Sequence, residues 1–296
     1  MIGVDFGGTR IKIANVEDGQ VVDSCSIPTD KTKEPIALLQ DIADAIRELD
    51  PQPESVGFAI PGEVDPTGRC WRLPNVPGFE GVPMRSELSS ILGCPVSVEN
   101  DGTAAALAEF RFGHGQNYPN FLILTLGTGI GGGVVLDGIP RRGANGFAGE
   151  LGHIAIHHPD SWPCVCGQTG CLETYIGTAG LKRKFEELGG KASEVRDIAD
   201  SARAGEAAGL AVFEMMGEVL ALGLCSLQNI LDVDAFVFTG GISPAFDLIE
   251  PSCRKALHEK SFAKPLAEVP LLVSELGDSA GVVGAAYLPS QFAAEA

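Results

Sequence analysis

Ile2-Gly3-Val4-Asp5-Phe6-Gly7-Gly8-Thr9-Arg10-Ile11-Lys12-Ile13-Ala14-Asn15-Val16 opens the chain, and Asp18-Gly19 follows shortly after. The apolar run Ile2 to Phe6 reads as a strand, the glycines break it, and Ile11 to Val16 resumes a β-branched extended pattern. Asp-Gly then turns the chain back toward Val21-Val22, because the positive φ angles of a two-residue hairpin turn suit those residues. The same pattern recurs at Phe121 to Leu126, Gly127-Thr128-Gly129-Ile130-Gly131-Gly132-Gly133, Val134 to Leu136 and Asp137-Gly138. A repeated strand, glycine turn, strand and Asp-Gly turn predicts two domains of related topology. We expect them at residues 1–113 and 114–296, with the last helix a candidate to pack back on the first.

Outward from these hairpins, strands alternate with helices, which makes the chain α/β with mixed sheets. Pro35 starts a helix with Ile36, Leu39, Ile42, Ala43, Ile46 and Leu49 on one face, and Asp50-Pro51 ends it. Ser55 to Ile60 and Pro95 to Val98 read as strands, and the Gly- and Pro-rich stretch from Glu63 to Met84 as an ordered loop. Asn100 and Asp101 fall between a strand end and an Ala-rich helix, a place where polar residues either cap the helix or act in chemistry. Later helices are expected at 179–188, 194–204, 207–231, 244–257 and 279–287, with strands at 235–238 and 269–273 and a loosely ordered tail past Pro289.

A formal net charge of -18 argues against phosphate backbones and anionic lipid as partners, since both would be repelled. The expectation is a cytoplasmic protein with no nucleic-acid or membrane partner: no apolar run is read as reaching the length a membrane span needs, and Met1 to Phe6 is unlike a signal peptide. Of the 8 cysteines, Cys25, Cys70, Cys94, Cys225 and Cys253 are scattered and read as small buried hydrophobes. The others cluster between Glu150 and Glu173, a segment too rich in Gly, Pro and Trp for regular structure. Cys164, Cys166 and Cys171 supply three thiolates there, and His153, His157 and His158 compete to be the fourth ligand of a structural metal ion.

The glycine turns carry phosphate chemistry by a different route from the common motifs. Gly127, Gly129 and Gly132 have dinucleotide-fingerprint spacing, but a strand and not a helix follows them, and no P-loop occurs. Two glycine turns, each with a Thr and with backbone N–H groups open to a ligand, form a matched pair able to surround phosphate oxygens. Asp5 and Lys12 flank the first turn, offering a carboxylate for hydrated Mg²⁺ and a cation for phosphate charge.

Together, Asp5-x-Gly7-Gly8-Thr9-x-x-Lys12, Glu99-Asn100-Asp101 with Ala104 to Ala106, Leu126 to Gly133, Gly149-Glu150-Leu151-Gly152-His153, Cys164-x-Cys166-Gly167-x-x-Gly170-Cys171-x-Glu173 and Thr239-Gly240-Gly241 resemble the ROK family of sugar kinases and repressors, most nearly its bacterial glucokinases. The resemblance runs from Ile2 to about Leu288. It implies the actin-like ATPase (ribonuclease H-like) fold, two α/β domains flanking a cleft. It also implies ATP with Mg²⁺ on Asp5, Gly7, Gly8, Thr9, Lys12, Gly127, Thr128 and Gly129, and adenosine beside Gly240 and Gly241. Asp101 matches the family's general base; Asn100, Glu150, His153 and Glu173 match its sugar ligands, with Gly62 and Asn75 adding contacts. The match selects His153 to complete a structural Zn²⁺ site with Cys164, Cys166 and Cys171, leaving His157 and His158 as exposed loop residues.

What the resemblance implies is ATP-dependent phosphorylation of a hexose, glucose to glucose 6-phosphate, by a homodimer or homotetramer. Kinases for N-acetylmannosamine, fructose or allose, and a non-enzymatic sugar-sensing regulator, are the alternatives. The regulator reading is disfavoured because Asp5 lies too near Met1 for a preceding DNA-binding domain. Polyphosphate is a second possible donor. The segment from Glu150 to Glu173 joins sugar ligands to metal ligands, so chelation is expected to impair sugar binding well before nucleotide binding.

Overall fold

The computed structural model describes residues 1–156 and 161–292. The chain begins with strands β1 (Ile2–Phe6), β2 (Arg10–Glu17) and β3 (Gln20–Pro28), helix α1 (Pro35–Leu49) and strand β4 (Val56–Ile60). A small ribbon of β5 (Glu63–Val64) and β6 (Cys70–Arg72), then α2 (Met84–Leu92), leads to β7 (Val96–Asn100) and α3 (Asp101–Phe112). Next come β8 (Phe121–Leu126), β9 (Ile130–Leu136) and β10 (Ile139–Pro140), followed by helices α4 (Leu172–Ile176), α5 (Thr178–Glu187), α6 (Val195–Arg203) and α7 (Ala207–Leu231). Strand β11 (Ala235–Thr239), α8 (Phe246–Lys260), β12 (Leu271–Val273) and α9 (Ala280–Phe292) complete the described elements.

Two five-stranded sheets repeat one plan, with orders β3-β2-β1-β4-β7 and β10-β9-β8-β11-β12. In the first, β1 runs antiparallel to β2 and parallel to β4, which is parallel to β7. In the second, β11 lies parallel to both β8 and β12. Both Asp-Gly turns have the positive φ angles expected of them, 47° and 76° at Asp18-Gly19 and 57° and 69° at Asp137-Gly138. Gly131, Gly132 and Gly133 belong to β9 and not to the turn before it.

The chain divides into two compact units: residues 1–119, 133–149 and 275–292 form one, and residues 120–132 with the described part of 150–274 form the other. A single boundary after residue 113 therefore does not describe the division, because two later segments are built into the first unit. Glycines admit one of them. A Cβ on Gly3 would collide with the Val282 carbonyl and one on Gly57 with the Ala285 carbonyl, so α9 lies directly on β1 and β4. Gly284 allows the same close approach of α9 to α3 at Ala104. The other segment starts at Gly133, which backs onto Gly102 and Ala106. It is fastened by Arg142, whose guanidinium meets the Glu99 carboxylate at 2.5 Å, both side chains being buried. Arg142 also lies 4.5 Å from the centre of the Phe292 ring, so residues 290–292 continue α9 to a buried end where loose order was expected; the rest of that expected tail, 293–296, lies outside the described residues.

The second unit corrects another expectation. Helix α7 is long and apolar enough, by length and composition, to span a membrane. Its apolar residues are instead mostly buried inside the unit, among α8, α6, α5 and α4, and that burial accounts for a composition with so few charges. Cys70, Cys225 and Cys253 are buried, Cys25 and Cys94 are half-buried against the first core, and burial pushes the Cys70 and Cys253 thiols up to about 12.

Candidate functional site

The first glycine turn is shaped by its neighbours. Asp5 and Lys12 face each other as register partners on β1 and β2. Burial pushes the Asp5 carboxyl above its ordinary value, Lys12 opposes the shift and Asp278 adds to it. The Gly7 carbonyl accepts the Thr29 hydroxyl at 2.7 Å, and the Gly7 N–H donates to the Asp5 carbonyl at 3.1 Å. Asn75 stands over Gly8, its Cβ only 2.9 Å from where a Cβ on Gly8 would be, so glycine is needed there for close approach. Of the two N–H groups that sequence reasoning leaves open at Gly7-Gly8, that of Gly7 is already spent within the protein.

Asn100 ends β7 and caps α3, its Oδ1 accepting the Gly102 N–H at 2.8 Å while its Nδ2 donates to the Gly62 carbonyl at 3.1 Å. The Asp101 carboxylate accepts the same Gly102 N–H at 2.8 Å and occupies the first turn, where the helix dipole favours negative charge. Capping thus occupies the Asn100 Oδ1 at this junction, and its Nδ2 ties the helix start to Gly62. Gly62, Asn100 and Asp101 form one hydrogen-bonded group in the first unit.

The second turn is held by residues some fifty positions further along the chain, around the start of α5. The Gly127 carbonyl accepts both the Thr178 N–H and the Thr178 hydroxyl at 3.0 Å, and the Gly127 N–H donates to the Gly129 carbonyl at 3.1 Å. The Glu173 carboxylate accepts the Ile130 N–H at 2.9 Å. Gly240, with φ of 92°, packs on Leu126, and the Ile242 N–H donates to the Leu126 carbonyl at 3.0 Å, so the Gly240-Gly241 loop borders this turn. A Cβ on Gly241 would meet open space, which leaves its face free for a ligand to approach.

His153, Cys164, Cys166 and Cys171 present ligand atoms that all lie within 4.8 Å of one another. His153 sits in the short 3-10 turn Leu151–His153, and Cys171 precedes α4. The Cys166 and Cys171 sulfurs are 3.6 Å apart, as are the Cys164 sulfur and His153 Nδ1. A tetrahedral zinc ion about 2.3 Å from each sulfur would space sulfurs roughly 3.8 Å apart, so the donor set fits in both chemistry and spacing. His153 Nε2 faces Glu150 at 3.9 Å, leaving Nδ1 toward the sulfurs. Burial pushes Cys171 up to about 12 and raises Cys164, whereas the Gln168 N–H lowers Cys166. His157 and His158, the rival ligands, lie outside the described residues.

These features match a family by sequence as well as by arrangement. The ROK family model, described as "ROK family", matches residues 1–291. The chain belongs to the ROK family. The fold of this ROK chain is the actin-like ATPase fold. It is 33% identical to a glucokinase of Halalkalibacterium halodurans, over 98% of this chain and 94% of that protein. It is 31% identical to an N-acetyl-D-glucosamine kinase of Pasteurella multocida, over 97% of this chain and 98% of that one. Among solved structures, a ROK family glucokinase from Streptomyces griseus in complex with glucose and AMPPNP is similar with a TM-score of 0.82 and 32% identity, covering 98% of this chain and 99% of that chain.

Several residues of this ROK chain escaped sequence reasoning. Thr29 and Thr178 anchor the two turns, yet nothing in their local sequence marks them. Glu99 was visible only as a neighbour of Asn100-Asp101, and its partner Arg142 lies far along the chain. Asp278 emerges as a neighbour of Asp5 only because the segment before α9 returns to the first unit.

Proposed function

We propose that this protein, an ATP-dependent sugar kinase, converts glucose to glucose 6-phosphate, with Asp101 as general base. The observation that carries this reading is the Asp101 carboxylate, fixed by the Gly102 N–H beside the capping Asn100 and within a chain that carries both glycine turns. Transfer of a phosphoryl group to a hydroxyl needs an in-line acceptor, a proton acceptor and counter-charge for the phosphates. Asp101 takes the proton from the sugar hydroxyl as the new phosphate ester bond forms and ADP departs. Asn100, Glu150, His153 and Glu173 bind sugar hydroxyls as donors and acceptors, with Gly62 and Asn75 beside them. The amides of Gly8, Thr9, Thr128 and Gly129 bind phosphate oxygens, Lys12 adds positive charge, and Gly240-Gly241 borders the adenosine.

Asp5 would hold Mg²⁺, which would supply the remaining charge neutralisation when bound with ATP. His153, Cys164, Cys166 and Cys171 would hold Zn²⁺ as a structural ion, which would tie the segment bearing Glu150 to that bearing Glu173. With Nδ1 of His153 toward the Cys164 sulfur, Nε2 lies on the Glu150 side and would remain for a sugar hydroxyl when Nδ1 binds a metal.

The likeness to the N-acetyl-D-glucosamine kinase supports a second reading, phosphorylation of an N-acetylated hexosamine. A coupled assay across hexoses and amino sugars, with ATP and polyphosphate compared, separates the two and also covers N-acetylmannosamine, fructose and allose. Asp101→Asn is expected to bind sugar normally and to lose about a hundredfold to ten-thousandfold in turnover, the range for a general base. Near-normal turnover in that variant would sink the assignment. A gel-shift assay against genomic DNA fragments tests the regulator alternative.

A further inference from the structure

The junction between α4 and α5 is clasped along the whole second glycine turn. Thr178 holds the Gly127 carbonyl with two hydrogen bonds of 3.0 Å. Gly177 passes Thr128 so closely that a Cβ there would lie 3.1 Å from the Thr128 carbonyl. Glu173 covers the rest: Oε2 accepts the Ile130 N–H at 2.9 Å and would lie 2.5 Å from a Cβ on Gly129. Glycine at 129 therefore makes room for a carboxylate and not only for a ligand.

The same carboxylate reaches toward the cysteines, its Oε1 being 3.9 Å from the Cys164 sulfur. Helix α4 is short, and the side chain of Cys171 makes no capping hydrogen bond at its start. What positions its first turn is the Leu172 N–H bonded to the Ile154 carbonyl at 2.9 Å, the Ala155–Cys171 bridge, and Cys171 itself as a member of the Cys/His cluster. A metal ligand thus sits two residues before the group that props the turn.

We infer that Glu173 is a positioning residue for the second phosphate turn, joining the Cys/His cluster to nucleotide binding as well as to sugar binding. The inference rests on the kinase reading only in taking nucleotide as the ligand of that turn. When the carboxylate holds the Ile130 N–H, the Thr128 and Gly129 amides keep a fixed direction; without it the end of the turn loses its only side-chain acceptor among the described residues. A Gln at 173 retains an acceptor oxygen for that N–H, while an Ala does not. This changes the expectation for metal removal, since nucleotide affinity should fall together with sugar affinity.

The test is binding of AMPPNP with Mg²⁺ by calorimetry, without sugar, alongside amide hydrogen exchange at Ile130. Glu173→Ala is expected to weaken AMPPNP by about tenfold or more, the scale of a lost hydrogen bond to a charged acceptor. It should also expose the Ile130 amide to faster exchange while β8 and β11 stay protected. Glu173→Gln should restore both readouts to near wild type yet remain weak for sugar, a separation that a purely structural role would not give. Chelation of the intact protein should reproduce the Glu173→Ala pattern. If Glu173→Ala does not fold, Gly129→Ala provides the same displacement with the carboxylate present. Wild-type AMPPNP affinity and an unchanged Ile130 amide in the folded Ala variant would overturn the inference. If the wild-type protein binds no AMPPNP, the ATP-kinase reading falls instead, and Ile130 exchange still decides whether Glu173 positions the turn.

Discussion

At the first glycine turn, the Gly7 carbonyl accepts a threonine hydroxyl from Thr29; at the second, the Gly127 carbonyl accepts one from Thr178. Both turns follow a strand, and both following strands end at an Asp-Gly turn covered by a phenylalanine of α3: Phe112 over Gly19 and Phe110 over Gly138. The charges differ. Asp5 and Lys12 face each other across the first hairpin, whereas Thr125 and Gly132 stand at the corresponding places of the second. Support differs as well, because the first turn is stapled by Thr29, just past the edge strand β3 of its own sheet, and the second by the helical junction beyond the Cys/His cluster. One backbone plan has thus been given a charged form held by its own sheet and a neutral form propped by a distant segment.

Removing the charge should break the contrast most visibly. Asp5→Asn is expected to lower turnover by about a hundredfold, a typical cost of losing one electrostatic stabiliser at a phosphoryl-transfer site. Its stability should move the other way. Burial holds the Asp5 carboxyl above its ordinary value of 3.8, so the folded chain binds that proton more tightly than the unfolded chain does. Ionisation at neutral pH therefore opposes folding, and the variant should melt at higher temperature there. That advantage should shrink as the pH falls toward 3.8, below which both states are protonated. Thermal melts run downward from neutral pH, together with kinetics, check both halves; a variant both active and less stable contradicts the charged-form account.

The two Asp-Gly turns offer a smaller test. Gly19→Ala puts a Cβ at φ of 76° and 2.5 Å from the Phe112 ring, and should cost about 2 kcal/mol. Gly138→Ala, at φ of 69° and 3.3 Å from the Phe110 ring, should cost about 1 kcal/mol. Equal losses in urea unfolding would show that ring packing does not distinguish the hairpins. The smallest effect separates the threonines. Thr29→Val removes the hydroxyl from the Gly7 carbonyl and should cost about 1 kcal/mol. Thr178→Val should cost less, because the residue's own N–H still bonds the Gly127 carbonyl. A larger loss at Thr178 would mean that the second turn depends on its prop more than the hydrogen bonds indicate.

Much of this was legible in the sequence. Asp-Gly dipeptides demand positive φ locally, alternating β-branched residues make strands locally, and Asn100-Asp101 meets a helix start within the same short stretch. The Cys/His grouping was legible too, as three cysteines within eight positions of a loop, although the choice of His153 came from family resemblance. The glycines were legible as glycines but not for their purposes. Gly8 yields to Asn75, Gly129 to Glu173, and Gly3 and Gly57 to a helix from the far end of the chain. A sequence shows that a side chain is missing and not what fills its place.

The sequence by itself determined the local conformations and the chemical inventory: two glycine hairpins, a capped carboxylate and a cluster of thiols and imidazole. Those features depend on φ preferences, alternation and residue chemistry over a few neighbouring positions. Tertiary structure alone decided that residues 133–149 join the first unit, where the sequence had already offered the last helix, and that Gly7 and Gly127 spend their own N–H groups within their turns. It also decided that Glu173, chemically a sugar ligand by resemblance, accepts an amide of the second turn. Such outcomes depend on close packing between residues tens of positions apart, where a missing Cβ or a single accepted hydrogen bond sets which groups remain for a ligand.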